Sequence, residues 1–156
     1  MCYADGERRS LRGRVKVQPP VEYPEVGLYH PRLKGRVTDR PDLLPRGDAG
    51  RTVGLLVLRS YVLAGNTAHY DAVIDACEAR GLRVIPAFAS GLDARPAIDQ
   101  YFQHQGRSRI DALVSLTGFS LVGGPAYNDA SAAEAALTQL DVPYLAAHPV
   151  EFQSLD

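Results

Sequence analysis

Residues 52–81 read TVGLLVLRSYVLAGNTAHYDAVIDACEARG, and the fold is decided there. Thr52–Leu58 is a continuous apolar run ended by Arg59 and Ser60. It is too short for a helix and has the composition of a strand covered on both faces. After a polar turn at Gly65-Asn66-Thr67, Tyr70, Val73, Ile74 and Cys77 recur at the spacing of one helical stripe. Gly81 follows the last periodic residue, where a left-handed C-cap is wanted. Strand, turn and amphipathic helix make one β–α unit.

Working downstream, the plan repeats. Leu82–Phe88 is a second apolar strand, followed by a turn at Ala89–Asp93. Pro96 suits a first helical turn, with Ile98, Tyr101 and Phe102 as the apolar face and Gly106 as the stop. Ile110–Leu116 is a third strand, followed by a long loop, Thr117–Asn128. The next helix starts near Asp129 or Ser131, where Ser131 and Glu134 have capping-box spacing. Val142–Ala147 is a fourth strand. Strands joined by helices imply right-handed crossovers and a parallel sheet. The expected class is therefore α/β, a three-layer, open, mostly parallel flavodoxin/Rossmann-like sheet, with the first strand between the second and third.

Working upstream, residues 1–50 hold Pro19, Pro20, Pro24, Pro31, Pro41 and Pro45 and lack helical periodicity. Gly13–Val17 and Val26–Tyr29 are candidate short strands. The expected organisation is an irregular lead over residues 1–50 that packs on neighbouring domains, then an α/β domain over 51–156, truncated at its C-terminal end.

The composition is that of a soluble globule, with 46% hydrophobic and 22% charged residues. No apolar run approaches the ~20 residues that span a bilayer, and no signal peptide is visible, so a cytoplasmic location is expected. Cys2 and Cys77 form neither a disulfide framework nor a metal spacing, and Cys77 reads as a small buried hydrophobe. Residues 1–59 carry twelve Lys/Arg against seven Asp/Glu, whereas residues 60–156 carry five against eleven. The arginines are scattered among Pro and Gly without a recognition helix or RNP-like aromatics, so nucleic acid is not expected as a partner.

In open α/β sheets, ligands sit outside the carboxyl ends of the strands. Those ends carry Arg59-Ser60-Tyr61, Ala89-Ser90-Gly91, Thr117–Ser120 and Ala147-His148. Gly118, Gly123 and Gly124 permit close backbone approach, but the loop 117–129 matches neither a dinucleotide fingerprint nor a P-loop. His69, His148 and Glu151 are candidates for acid–base work near this edge. His30 and His104 add no pairing, so no metal site is expected. There is no G-x-S-x-G, and Cys77 is mid-helix, so a covalent nucleophile has no support.

Residues 52–74, 81–98, 111–130 (DALVSLTGFSLVGGPAYNDA) and 140–153 (LDVPYLAAHPVEFQ) resemble the large H subunit of magnesium chelatase. The resemblance is to the form found in bacteriochlorophyll-making bacteria. YPEVGLYHPRLKGR, residues 23–36, resembles that family's lead into this region. The large subunit of cobaltochelatase is a relative expected to match less well. The resemblance implies a domain of a porphyrin-binding subunit that inserts Mg²⁺ into protoporphyrin IX in (bacterio)chlorophyll synthesis. It implies ATP hydrolysis on AAA+ partner subunits of the I and D types and contact with the rest of the large subunit. For this piece alone it implies little or no activity and no tightly bound cofactor. Porphyrin-cavity candidates at the carboxyl edge are Arg59, Tyr61, Asn66, Thr117, Phe119, Gly123 and Gly124. Two other readings remain open: a structural scaffold contacting other domains, and a small-ligand module of flavodoxin type, which the missing phosphate motif disfavours.

Overall fold

The computed structural model describes residues 22–148 except Pro125. Its centre is a six-stranded sheet. Four of the strands are parallel: β3 (Thr52–Leu56), β4 (Arg83–Ala89), β7 (Ala112–Ser115) and β10 (Tyr144–Ala146). Two more, β1 (Val26–Tyr29) and β2 (Val37–Thr38), extend the sheet antiparallel beyond β4. The order across the sheet is β10-β7-β3-β4-β1-β2. β3 thus lies between β4 and β7, the flavodoxin-like arrangement expected from the sequence. The Val26–Tyr29 strand is where the sequence put it, and β2, formed after the turn at 30–36, is an addition. Gly13–Val17 lies outside the described residues.

Helices cover both faces. α1 (Arg59–Ala64) and α2 (Ala68–Glu78) pack on one, with Tyr29, Leu55, Val57, Val62, Tyr70, Ile74, Val84 and Phe88 buried between. Cys77 joins this layer half-buried, and burial pushes its thiol up. α3 (Arg95–Ala97), a π-wound turn (Ile98–Phe102) and α4 (Ala130–Leu140) pack on the other face over Leu28, Leu56, Ile85, Ala87, Leu113 and Leu121. Alternate residues of β3 therefore feed opposite cores, as the two-residue side-chain period requires. Gly54 in β3 has no room for a methyl group, which would lie 2.8 Å from Ile110 Cδ1 and 3.1 Å from the Phe102 ring.

Several local expectations change. α1 is a short helix that the sequence did not announce, closed by Gly65 at φ 73°, and the expected turn at Gly65-Asn66-Thr67 follows it. The second strand–helix unit does not hold a helix up to Gly106. Winding stops at Phe102, and Gln105-Gly106 make the turn of a hairpin, β5 (Gln103–His104) with β6 (Arg107–Ser108). Both turn residues have positive φ, 51° and 72°, as a two-residue type I′ turn demands. The expected capping box is absent. Asp129 caps α4, its carboxylate accepting from Ala132 N–H at 2.9 Å, two positions ahead of Ser131.

The antiparallel edge is tied down by polar side chains. Tyr29 OH donates to Asp71, Arg36 donates to the same carboxylate at 2.7 Å, and the Arg36 guanidinium sits 5.3 Å over the Tyr29 ring. Burial and the Asp71 carboxylate push the Tyr29 phenol up to about 12. His30 is fully buried, with Nδ1 accepting from Arg32 N–H at 3.2 Å and Nε2 3.1 Å from Glu78 Oε1. The first bond fixes the tautomer, leaving Nε2–H to donate to Glu78.

Candidate functional site

The carboxyl ends of β3, β4 and β7 meet at one cleft. Leu56–Leu58, Ala89, Gly91–Ala94, Ser115, Thr117 and Phe119–Leu121 line it. This is the switch point of the sheet, since the chain passes from β3 to β4 on one side and then crosses back to β7 on the other. The space inside is about 30 Å³, enough for a water molecule or two and far below a pocket for a drug-sized ligand.

The cleft is small because its two loops are fastened to each other. Leu121 O accepts from Ala94 N–H, and Leu92 O from Gly123 N–H, both at 3.0 Å. Asp93 and Val122 form an isolated antiparallel bridge between the same loops. The floor is polar, with Ser115 and Thr117 hydroxyls 3.0 Å apart and Thr117 Oγ1 accepting from Phe119 N–H at 3.2 Å. The rim is apolar. Phe119 is 37% and Leu92 38% exposed. Asp93 holds Arg95 through both Nε and Nη2, and that pairing keeps its carboxyl below the usual range.

The sequence-selected residues fall into two groups. Thr117 and Phe119 line the cleft itself. Gly123 and Gly124 form β8, paired with β9 (Tyr127–Asn128) in a hairpin beside it. Their small size is needed for the turn and the loop contact: a methyl on Gly123, at φ 108°, would lie 2.2 Å from Tyr127 O, and one on Gly124 2.2 Å from Leu92. His148 stands near Gly118, whose added methyl would be 3.6 Å from His148 Nδ1, and is exposed.

The second group sits on α1 and α2. Arg59 is spent on backbone, donating to Pro24 O at 2.9 Å and Tyr23 O at 3.1 Å. Tyr61 meets His69 edge-on at 5.6 Å, and His69 lies against Tyr70 at 3.9 Å. His69 Nε2 is buried without a hydrogen-bond partner. Asn66 is exposed in the α1–α2 turn. Tyr70 OH accepts from Leu58 N–H at 3.1 Å, which anchors this layer to the cleft wall. Glu151 lies outside the described residues. Leu92 and Asp93 were not among the sequence candidates, and Ser120 was named only as part of the strand-end run Thr117–Ser120. The turn after Phe88 held the signal for the first two, since it ends at the same edge. Among the described residues no group of three His, Cys, Asp or Glu side chains is placed to hold a metal ion.

A doubly wound sheet with this switch-point cleft defines an α/β domain with a closed, apolar-rimmed edge. The chain belongs to the CobN/magnesium chelatase family, whose model matches residues 3–156. It is 64% identical over 143 residues to the magnesium-chelatase H subunit of Cereibacter sphaeroides, covering 91% of this chain and 12% of that protein. Against the H subunit of Rhodobacter capsulatus it is 55% identical over 154 residues, covering 98% and 12%. Among solved structures it resembles the catalytic subunit of cobaltochelatase from Mycobacterium tuberculosis, with a TM-score of 0.55 and 25% identity over 94% of this chain and 12% of that one. The chain spans about 12% of the length of these relatives. No helix among the described residues is long and apolar enough to cross a membrane.

Proposed function

We propose that this chain is a domain of the porphyrin-binding subunit of a magnesium chelatase, working on Mg²⁺ and protoporphyrin IX as substrates in (bacterio)chlorophyll synthesis. In this reading the rest of the subunit completes the site, and AAA+ subunits of the I and D types hydrolyse ATP. The observation that carries it is the identity gradient, 64% to a magnesium-chelatase H subunit against 25% to a cobaltochelatase subunit.

Metal insertion needs an apolar surface for the macrocycle, a base for two pyrrole protons and oxygen ligands for Mg²⁺. The domain's contribution is the first of these: Phe119 and Leu92 form an apolar shelf at the strand ends, backed by the Thr117–Ser115 hydroxyls. His148, exposed beside Gly118, is the candidate at this edge for the base. His69, wedged against Tyr61 and Tyr70, supports the wall instead. The closed cleft favours a second reading, a scaffold domain with no ligand of its own, because 30 Å³ admits no tetrapyrrole.

The test is made in the full-length subunit. Phe119→Asp and His148→Ala are assayed for porphyrin affinity by Soret shift and for chelation rate with the partner subunits. A weaker porphyrin affinity for Phe119→Asp and a slower rate at saturating porphyrin for His148→Ala support the substrate-shelf reading. Unchanged affinity and rate in both, with folding intact, leave the scaffold.

A further inference from the structure

The β5–β6 hairpin lies at the opposite edge of the sheet, where strands begin, because Arg109 and Ile110 lead from it directly into β7. An open cleft of about 380 Å³ on its face is lined by His104, Gln105, Arg107, Ser108 and Arg109, with no carboxylate. These arginines differ from most others among the described residues. Arg51 and Arg95 pair with Asp111 and Asp93, while Arg59, Arg80 and Arg83 donate to backbone carbonyls. Among the described residues, the guanidinium groups of Arg107 and Arg109 have no acceptor. Asp111, the carboxylate nearest in sequence, is already engaged by Arg51 and by Thr52 N–H at 2.7 Å. Asp99 lines a neighbouring groove that shares His104 and Gln105 with this cleft but holds neither arginine.

The hairpin is also held rigid. Its type I′ turn fixes two residues at positive φ, Arg109 N–H donates to Phe102 O at 2.7 Å, and Gln139 of α4 donates to Gln103 at 2.9 Å. Two unpaired guanidinium forks on a preorganised hairpin recognise carboxylates with little ordering loss. We propose that this hairpin docks an acidic protein segment, with Arg107 and Arg109 binding Asp or Glu side chains and His104 and Gln105 flanking them. The site is at the other edge of the sheet from the switch-point cleft, so docking here leaves that cleft unobstructed. A nucleic acid is the poorer fit, because no Phe, Tyr or Trp lines the cleft to stack a base.

The experiment titrates the intact chain with an oligoglutamate peptide, following hairpin amide shifts by NMR at low and raised salt. Saturable binding that weakens with salt is expected, and Arg107→Glu/Arg109→Glu should weaken it by about tenfold or more. The neutral Arg107→Gln/Arg109→Gln pair, which leaves the turn and backbone bonds intact, should fall between. Arg95→Gln, at the other edge, should bind like the parent chain. Equal binding by the double-reversal variant overturns the proposal. So does a response to inorganic phosphate or to a single-stranded oligonucleotide with none to the peptide.

Discussion

His30 shows how a single side chain couples the antiparallel edge to pH. Its ring is wholly buried, and protonation would break the Nδ1 bond from Arg32 N–H and place a charge away from water, facing a Glu78 carboxylate already shared with Arg32. Burial first, and the Arg32 charge second, lower its pKa from 6.5 to about 4. The unfolded chain therefore binds a proton between pH 6.5 and 4 that the native chain refuses. The stability this residue confers is complete above pH 6.5 and is lost as pH falls toward 4, by roughly 3 kcal/mol at most. Urea midpoints measured across that window should fall for the parent chain and fall less for His30→Gln. Parallel curves would show that other groups set the acid limb. From the sequence, His30 was merely a histidine outside any metal pairing. Its burial depends on β1 pairing with β4 and on Glu78 of α2 facing it, contacts that no local pattern announces.

At the scale of elements, the sequence showed the parallel strands clearly because each is a short apolar run between turn residues, and that pattern survives any tertiary detail. It failed at helix ends and in loops, where competing local signals are close in energy. Ser131 with Glu134 has capping-box spacing, yet Asp129 holds the N-cap, since it also receives the chain from β9 and donates its N–H to Val122 O at 3.1 Å. Asp129→Ala should thus cost about 1 kcal/mol in a denaturation experiment, while Ser131→Ala stays within about 0.5 kcal/mol. A reversed order would restore the capping box. The glycine loop was legible as an anomaly but not as a structure. Its Gly123 is required by backbone, with φ 108° and Tyr127 O in the way of any methyl, whereas Gly65 at φ 73° faces open space. Gly65→Ala should cost about 1–2 kcal/mol from the left-handed backbone alone. Gly123→Ala should cost more, because steric overlap adds to it and the β8–β9 hairpin must shift. If both midpoints move equally, the contact with Tyr127 O is relieved without loss. Impaired activity in a Gly123 variant would accordingly report on loop structure rather than on a ligand contact.

For the molecule as a whole, the sheet was legible because it is an average over many residues, and the candidate site was half legible because it depends on a few pairings between loops. Strand order alone placed Thr117 and Phe119 at the switch point, and both line the cleft there. What the order did not reveal is that the β4 and β7 loops are fastened together through Leu92, Ala94, Leu121 and Gly123, leaving about 30 Å³ between them. That closure opposes entry of a porphyrin. A flat macrocycle entering this cleft must part the two backbone hydrogen bonds that make the Asp93–Val122 bridge, and each bond left unmade in a desolvated site costs about 1–3 kcal/mol. Burying a tetrapyrrole face against Phe119 and Leu92 alone offsets part of that, since both rim residues are already more than half covered. The isolated chain, shown folded by circular dichroism, should therefore give no saturable Soret shift with micromolar deuteroporphyrin. The full-length subunit, where further domains supply the remaining walls, should give one that Phe119→Asp weakens. Saturable micromolar binding by the isolated chain would mean that the two loops separate readily, and that this domain carries enough of the porphyrin site to bind without the rest of the subunit.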